Sequence, residues 1–447
     1  MDFMRLTGPL LLLLICFSKQ SFADLFSATQ HYQQKNYSLA HSEFLELSQF
    51  GNTDAMYNLA VMSLHGQGTT KSLPKAYAWF LLASDFGLMD AKQTAELVKQ
   101  QYPDKQVLKD MYLALKLQYG FNVISEKFYP NSFNKSKLVL NKVRDHKPNY
   151  PEQAIKQGVE GWVWVEFDID ESGAVTDISL IAAHPKHIFS TELINAVSLW
   201  RYDTDIPIKS RSLTYHFTTF KGKQYKTAFQ NQKKQYKQSI SEHIDAAEKG
   251  NSEVQFYISQ WLQSSEYNAS QLLKYHWQDE QAAQSLLFAS AKNSFPLAQY
   301  KLATSLLNNN IQDSDRKVAI NWLRVAAQKN SLPALYRLGT LFADKKNPEY
   351  SPNRALNYFK QAAEQGHFRA IKEMCLLLKT MPNQQEALKQ CLEAGLDIDN
   401  EHPTLLLLRA QTLTNKTLSM KYAKQALNAA QDRDWSTKAI SAFIQRL

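Results

Sequence analysis

The sequence is short of the residues that break a chain or staple it. Its 14 Gly and 14 Pro are scattered over 447 residues, which excludes a collagen-like repeat and a long proline-rich spacer. Three cysteines are too few for a disulfide-built scaffold. The apolar run from Pro9 to Phe17 is interrupted at Ser18, Lys19 and Gln20, and falls short of the roughly 20 residues needed to span a bilayer. No G-x-S-x-G, H-E-x-x-H or phosphate loop occurs. His184 and His187 have a metal-like spacing, but they flank Pro185 and read as solvent-facing loop residues. Asp168, Asp170 and Glu171 lack the spaced ligands and glycine of a calcium loop, and read as the polar face and end of a strand. The expectation is a protein without catalytic set, metal or cofactor.

Charge and the N-terminus say where the chain works. The formal net charge is +9, which favours anionic surfaces in general. Lys221, Lys223, Lys226, Lys233, Lys234 and Lys237 lie close together, but the Gln and Tyr between them predict a solvated linker, and nucleic acid is not an expected partner. Arg5, the apolar run and Ser21-Phe22-Ala23 before Asp24 have the order of a secretory signal peptide cleaved after Ala23. The mature chain is then exported and at most peripheral to membranes.

Self-comparison shows a 36-residue step. Ala298-Gln-Tyr300-Lys-Leu302-Ala303 recurs as Ala334-Leu-Tyr336-Arg-Leu338-Gly339 and as Ala370-Ile-Lys372-Glu-Met374-Cys375. A second helix keeps the step, with Ala319, Trp322 and Ala326-Ala327 answered by Ala355, Tyr358 and Ala362-Ala363, and Gly366 in place for a left-handed cap. An earlier copy runs from Ala55-Met-Tyr57-Asn-Leu59-Ala60 through Gly66-Gln67-Gly68 to Trp79-Phe80, Ala83 and Gly87. These motifs resemble the Sel-like branch of the tetratricopeptide repeats, which implies stacked helix pairs that bind proteins or peptides. Ala91 to Tyr119 is expected to be a capping segment, and residues 384 to 447 a poorer terminal match. Cys375 and Cys391 replace small contact residues, Gly339 and Ala355, on partner helices. In an oxidising compartment that placement predicts a disulfide.

In the middle the period changes from 3.6 to 2. Val163, Val165, Phe167 and Ile169 share one face of a strand, Glu171-Ser172-Gly173 supplies a turn, and a second strand runs from Val175 to Ala182. Phe189 to Arg201 is helical, and Ser212 to Phe220 alternates again, with Leu213, Tyr215 and Phe217 on one side. Tyr150-Pro151, Gly158, Gly161, V-x-V-x-F-x-I-D-x-x-G-x-V from 163 to 175 (with Gly173), Phe189, Ala196 and Trp200-Arg201-Tyr202 resemble the TonB C-terminal domain. That family captures an extended peptide of outer-membrane receptors by pairing it beside the last strand. Carried onto this chain, the resemblance implies a peptide-binding edge of Ser212, Leu213, Thr214, Tyr215, His216, Phe217, Thr218 and Thr219. Trp162 and Trp164 stand on the outer face of the first strand, where two indoles require a cover from a repeat array or a partner.

The sequence thus predicts an α+β multidomain chain, in which an α-solenoid flanks a small ββαβ domain. The expected units are a signal peptide (1–23), a repeat with its cap (24–120), the TonB-like domain (138–222) and a second repeat array (236–447). Two functions remain open: an accessory of TonB-dependent outer-membrane transport that binds a receptor peptide, or a cell-envelope scaffold holding another protein or peptidoglycan. Either places the chain in the periplasm of a Gram-negative bacterium, and the oligomeric state stays open.

Overall fold

The computed structural model describes residues 24–131, 140–218, 229–264, 268–307 and 313–447. The expectations for the leader at 1–23, for Thr219 and for Lys221, Lys223 and Lys226 lie outside the described residues.

The N-terminal helices are α1 (Leu25–Gln33), α2 (Tyr37–Ser48), α3 (Thr53–His65), α4 (Leu73–Asp85), α5 (Met89–Gln101), α6 (Lys105–Tyr119) and α7 (Phe121–Phe128). Their starts are written in the sequence: the side chains of Asp24, Asn52 and Ser72 accept hydrogen bonds from the first-turn amides of Ser27, Ala55 and Lys75. Gly68 has φ 66° between α3 and α4, and a Cβ there would sit 2.3 Å from the Tyr37 carbonyl oxygen, so the tight loop admits only glycine. The expected capping segment is two helices. Pro103 has no amide and holds Tyr102 extended (φ −109°, ψ 122°), ending α5, and Asp104 then caps α6.

The central unit contains β1 (Lys142–Arg144), α8 (Glu152–Gln157), β2 (Gly161–Ile169), β3 (Val175–His184), α9 (Ser190–Ser198), β4 (Arg201–Tyr202) and β5 (Ile208–Phe217). β2, β3 and β5 form an antiparallel sheet in the order β3-β2-β5, and β1 pairs with β4 separately. Gly173 makes the β2–β3 turn at φ 79°, where a Cβ would strike the Tyr202 carbonyl oxygen at 2.0 Å. One face of the sheet packs on α9, with Val163, Val165, Phe167, Phe189, Leu193, Val197 and Trp200 forming a closed core. β3 runs on to His184, so this histidine belongs to a strand and not to an open loop. Its ring lies 4.5 Å from that of Tyr257, and burial lowers its pKa to about 4.

The C-terminal helices are α10 (Phe229–Glu248), α11 (Ser252–Leu262), α12 (Asn268–His276), α13 (Ala282–Lys292), α14 (Pro296–Leu306), α15 (Asp313–Gln328), α16 (Leu332–Ala343), α17 (Pro352–Ala363), α18 (Phe368–Thr380), α19 (Gln385–Ile398), α20 (Pro403–Thr412), α21 (Lys416–Asp432) and α22 (Lys438–Ile444). Lys233, Lys234 and Lys237 therefore stand in a helix, α10, and not in a linker, as the good helix propensity of Lys and Gln allows. Alanines make the close helix crossings, and Cys375 on α18 is disulfide-bonded to Cys391 on α19 with their Cα atoms 5.6 Å apart. The two arrays touch directly. Phe50 stacks on Trp322 at 5.5 Å, the Trp322 indole donates to the Phe128 carbonyl, and Asp24 accepts from the amide and hydroxyl of Ser252 at the start of α11.

Candidate functional site

All nine residues of β2 are buried, because the strand is covered on both sides. Its second face, Trp162, Trp164, Glu166 and Asp168, lies against the repeat helices α11, α14 and α18. Trp162 and Trp164 are fully buried (0% exposed) in one apolar cluster with Phe256 of α11 and Tyr300 of α14. The Trp164 indole stacks on Tyr300 at 5.5 Å and donates to the Ser212 hydroxyl at 2.8 Å. Next along the strand, Glu166 accepts from the Tyr300 hydroxyl at 2.7 Å, and Asp168 pairs with Arg369 and with Lys372 (3.4 Å) of α18. Strand periodicity thus meets repeat periodicity. Positions 300, 336 and 372 are one repeat position in successive copies, and they present Tyr, Tyr and Lys to the sheet. The following position presents Lys301 to Thr214 at 2.7 Å and Glu373 to Lys209 at 2.5 Å.

Asp168 was expected on a polar strand face, yet it is buried at the centre of an ion cluster. The reason is a pair of β-bulges, one on each neighbouring strand. On β3 the register slips between Glu166 and Asp168, with Asp177 at φ 53°; on β5 it slips between Phe167 and Ile169, with Ser210 at φ 54°. The first bulge turns Asp177 towards Lys372 (2.8 Å) and His402 (3.1 Å), and the second aims the Ser210 amide at Asp168 (2.8 Å). At Asp177, Glu373 and Lys372 burial opposes the charge, and pairing outweighs it. Lys372 and His402 hold the Asp177 carboxyl well below the usual carboxylate range, and Lys372 with Lys209 lowers that of Glu373. Asp177, Glu373 and Asp168 push the Lys372 ammonium up in turn. Sequence reasoning missed Arg369, Lys372, Glu373 and His402. The readable signal was Lys372, a charge at a repeat position that holds tyrosine in the two preceding copies.

The remaining family-pattern residues hold the domain together. Tyr150 donates its hydroxyl hydrogen bond to the Val159 carbonyl and packs edge-on against Phe189, while Pro151 starts α8. Gly161 lets β2 approach the His184 carbonyl, where a Cβ would come within 2.4 Å. Trp200 donates to the His146 carbonyl at 2.7 Å, Tyr202 stacks on Phe167, and Arg201 reaches Asp434 beyond α21 at 2.6 Å. Of the expected edge residues, Ser212, Leu213, Thr214, Tyr215, His216 and Phe217 lie in β5 and Thr218 follows it. Direct pairing with β2 puts Leu213, Tyr215 and Phe217 on the α9 side, and Ser212, Thr214 and His216 on the side of the repeats.

The architecture is that of a helical-repeat protein that carries a small ββαβ domain on its repeat helices. The family model for the Gram-negative bacterial TonB protein C-terminal matches residues 146–219, and the Sel1 repeat model matches residues 53–86, 296–331 and 332–367. Both are families of protein-interaction modules. Within the first match the chain is 42% identical over 57 residues to the TonB protein of Yersinia enterocolitica, covering 13% of this chain and 22% of that protein. It is 36% identical over 62 residues to the TonB protein of Escherichia coli K12, covering 14% and 26%. The chain therefore spans about a quarter of the length of the TonB proteins it matches. Among solved structures, a protective antigen of uropathogenic Escherichia coli with an SLR fold aligns over 90% of this chain and 68% of its own at 12% identity and TM-score 0.33. A Sel1 repeat protein from Oxalobacter formigenes aligns over 44% and 82% at 19% identity and TM-score 0.35. No helix among the described residues is long and apolar enough to cross a membrane.

Proposed function

We propose that this protein is a periplasmic interaction module that binds an extended peptide of an outer-membrane receptor beside β5, as an accessory of TonB-dependent transport. The observation that carries the reading is the match to the TonB protein C-terminal over residues 146–219, which contains the strands β2, β3 and β5. β3, the opposite margin, carries two irregularities against β2, at Trp164/Val165 and at Glu166/Asp168, and bulged edges pair poorly with an added strand. From Arg211 to Phe217, β5 is regular. A peptide there gains affinity from backbone hydrogen bonds more than from side chains. With the leader removed after Ala23, the accessory recruits or holds the receptor, and a separate energised transducer drives transport.

Calorimetry with receptor N-terminal peptides tests this. The expected result is binding that survives alanine substitution of the peptide side chains and is lost when alternate peptide amides are N-methylated. No heat from any receptor peptide would leave the second reading, a cell-envelope scaffold. The buried contact between sheet and repeats favours that reading, because it fixes the central domain as part of one body. Crosslinking in periplasm then identifies the protein or peptidoglycan partner.

A further inference from the structure

The repeat array supplies a charged wall beside β5. Positions 301, 337 and 373 are one repeat position on α14, α16 and α18, and they hold Lys, Arg and Glu. Two of the three reach β5 directly, Lys301 at the Thr214 hydroxyl (2.7 Å) and Glu373 at the Lys209 ammonium (2.5 Å). In the stack α16 packs on α15, α17 and α18, so Arg337 occupies the step between, on the same side of its helix. A charge effect locates it more closely. Burial and the Glu166 carboxylate push the Tyr300 hydroxyl well above its usual range, and the Arg337 guanidinium acts against them from nearby. Tyr300 donates to Glu166, and Glu166 stands opposite Ser212 of β5. Arg337 is therefore level with Ser212, which is exposed.

Arg337 differs from its two repeat equivalents in having no partner. Lys301 donates to Thr214 and lies over the Trp164 ring at 4.1 Å, and Glu373 is matched by Lys209 and by Lys372 at 3.3 Å. The terminal nitrogens of Arg337 make no hydrogen bond or salt bridge among the described residues, and they reach solvent. The guanidinium offers donors only, so nothing but an acceptor can satisfy it. Neither neighbouring acid serves, since Glu166 accepts from Tyr300 and Glu373 is held between two lysines.

A strand added beside β5 places alternate side chains on the repeat side of the sheet, the side to which Ser212, Thr214 and His216 belong. The side chain level with Ser212 then covers Arg337. An apolar group there strips water from a partly buried cation without replacing its hydrogen bonds, whereas a carboxylate meets the guanidinium fork with two parallel charge-assisted bonds. We infer that Arg337 is a specificity-determining residue of the β5 site, and that the bound peptide carries Asp or Glu at the position level with Ser212. This inference rests on peptide binding beside β5, as proposed above. It adds a contact that the TonB-like domain does not contain, because Arg337 lies in the Sel1 repeat matched at 332–367 and outside the match at 146–219. The site is then composite, with backbone pairing from the strand and side-chain choice from the repeat.

The test is calorimetry of the full chain with the capped peptide acetyl-Thr-Val-Glu-Val-Thr-Val-amide and with its Gln counterpart, whose valines and threonines favour an extended strand. The Glu peptide should bind at least roughly tenfold more tightly, as a gained charged hydrogen bond implies, with amide NMR shifts at Ser212 and Thr214. Arg337→Gln should bring the two peptides to equal affinity. Arg337→Lys keeps the charge without the fork and should narrow the ratio, and it serves as the second variant should Arg337→Gln fail to fold. If neither peptide binds, the β5 reading falls and this inference falls with it. If both bind the unaltered chain equally, or if the preference for Glu is undiminished in the two variants, peptide binding beside β5 stands and the role of Arg337 is overturned.

Discussion

Removing the Lys372 ammonium is the sharpest perturbation of the junction between sheet and repeats. In Lys372→Met the alkyl stem is kept, but three buried carboxylates lose a cation that stood 2.8 Å from Asp177, 3.3 Å from Glu373 and 3.4 Å from Asp168. Breaking a buried pair from one side costs about 3 to 5 kcal/mol, chiefly by stranding the remaining charge. Here each carboxylate keeps a second partner: His402 for Asp177, Lys209 for Glu373, and Arg369 with the Ser210 amide for Asp168. The cost should thus fall at the low end, about 3 kcal/mol. Asp177→Asn tolerates the left-handed bulge conformation and, combined with Lys372→Met, should recover part of the loss. Urea unfolding of the four proteins of this cycle gives the coupling, expected at about 1 to 3 kcal/mol. A single-mutant cost within about 0.5 kcal/mol, with no coupling, would refute the view that these charges hold the sheet on the repeats.

Trp164→Ala should cost about 3 to 5 kcal/mol, because it empties a fully buried site, and limited proteolysis should then cut between the central domain and the C-terminal array. Replacing Cys375 and Cys391 together by alanine should lower stability under oxidising conditions by up to about 3 kcal/mol, the loop-closure value for a separation of 16 residues, and thermal unfolding with and without reductant reads it. Acidification should destabilise the fold from about pH 6.5 downwards. Burial lowers the His184 and His367 pKa values from 6.5 to about 4, so the unfolded chain takes up protons in that window before the folded chain does. The loss is at most about 3 kcal/mol for each, and replacing both residues by glutamine should flatten the stability profile between pH 6.5 and 4. Below that window Asp177 and Glu373 add to the loss, since their folded pKa values lie under the ordinary ones and their stabilisation disappears as pH falls through them.

The sequence by itself determined the local periods and therefore the units. Alanines and aromatics at a 36-residue step dictate helix pairs, since only small residues let two backbones cross closely, and the matched repeats lie where that step is strongest. Alternation from Val163 to Ile169, the Gly173 turn and the stripe ending at Trp200 dictate strand, strand and helix, because each element must bury one face. The outward indoles Trp162 and Trp164 announced that a cover was needed, without saying which surface supplies it. That choice belongs to the tertiary structure. The ion cluster depends on two bulges and on side chains about 200 residues apart in the chain, such as Asp168 and Arg369, and no local pattern encodes such a meeting. His184 was misread for the same reason: its ring is enclosed by Tyr257 and Trp261 of a distant helix, whose position the sequence around Pro185 does not contain. Period and capping act over a few residues and are legible in the chain, whereas docking is decided by which buried faces and charges match once separate elements are formed.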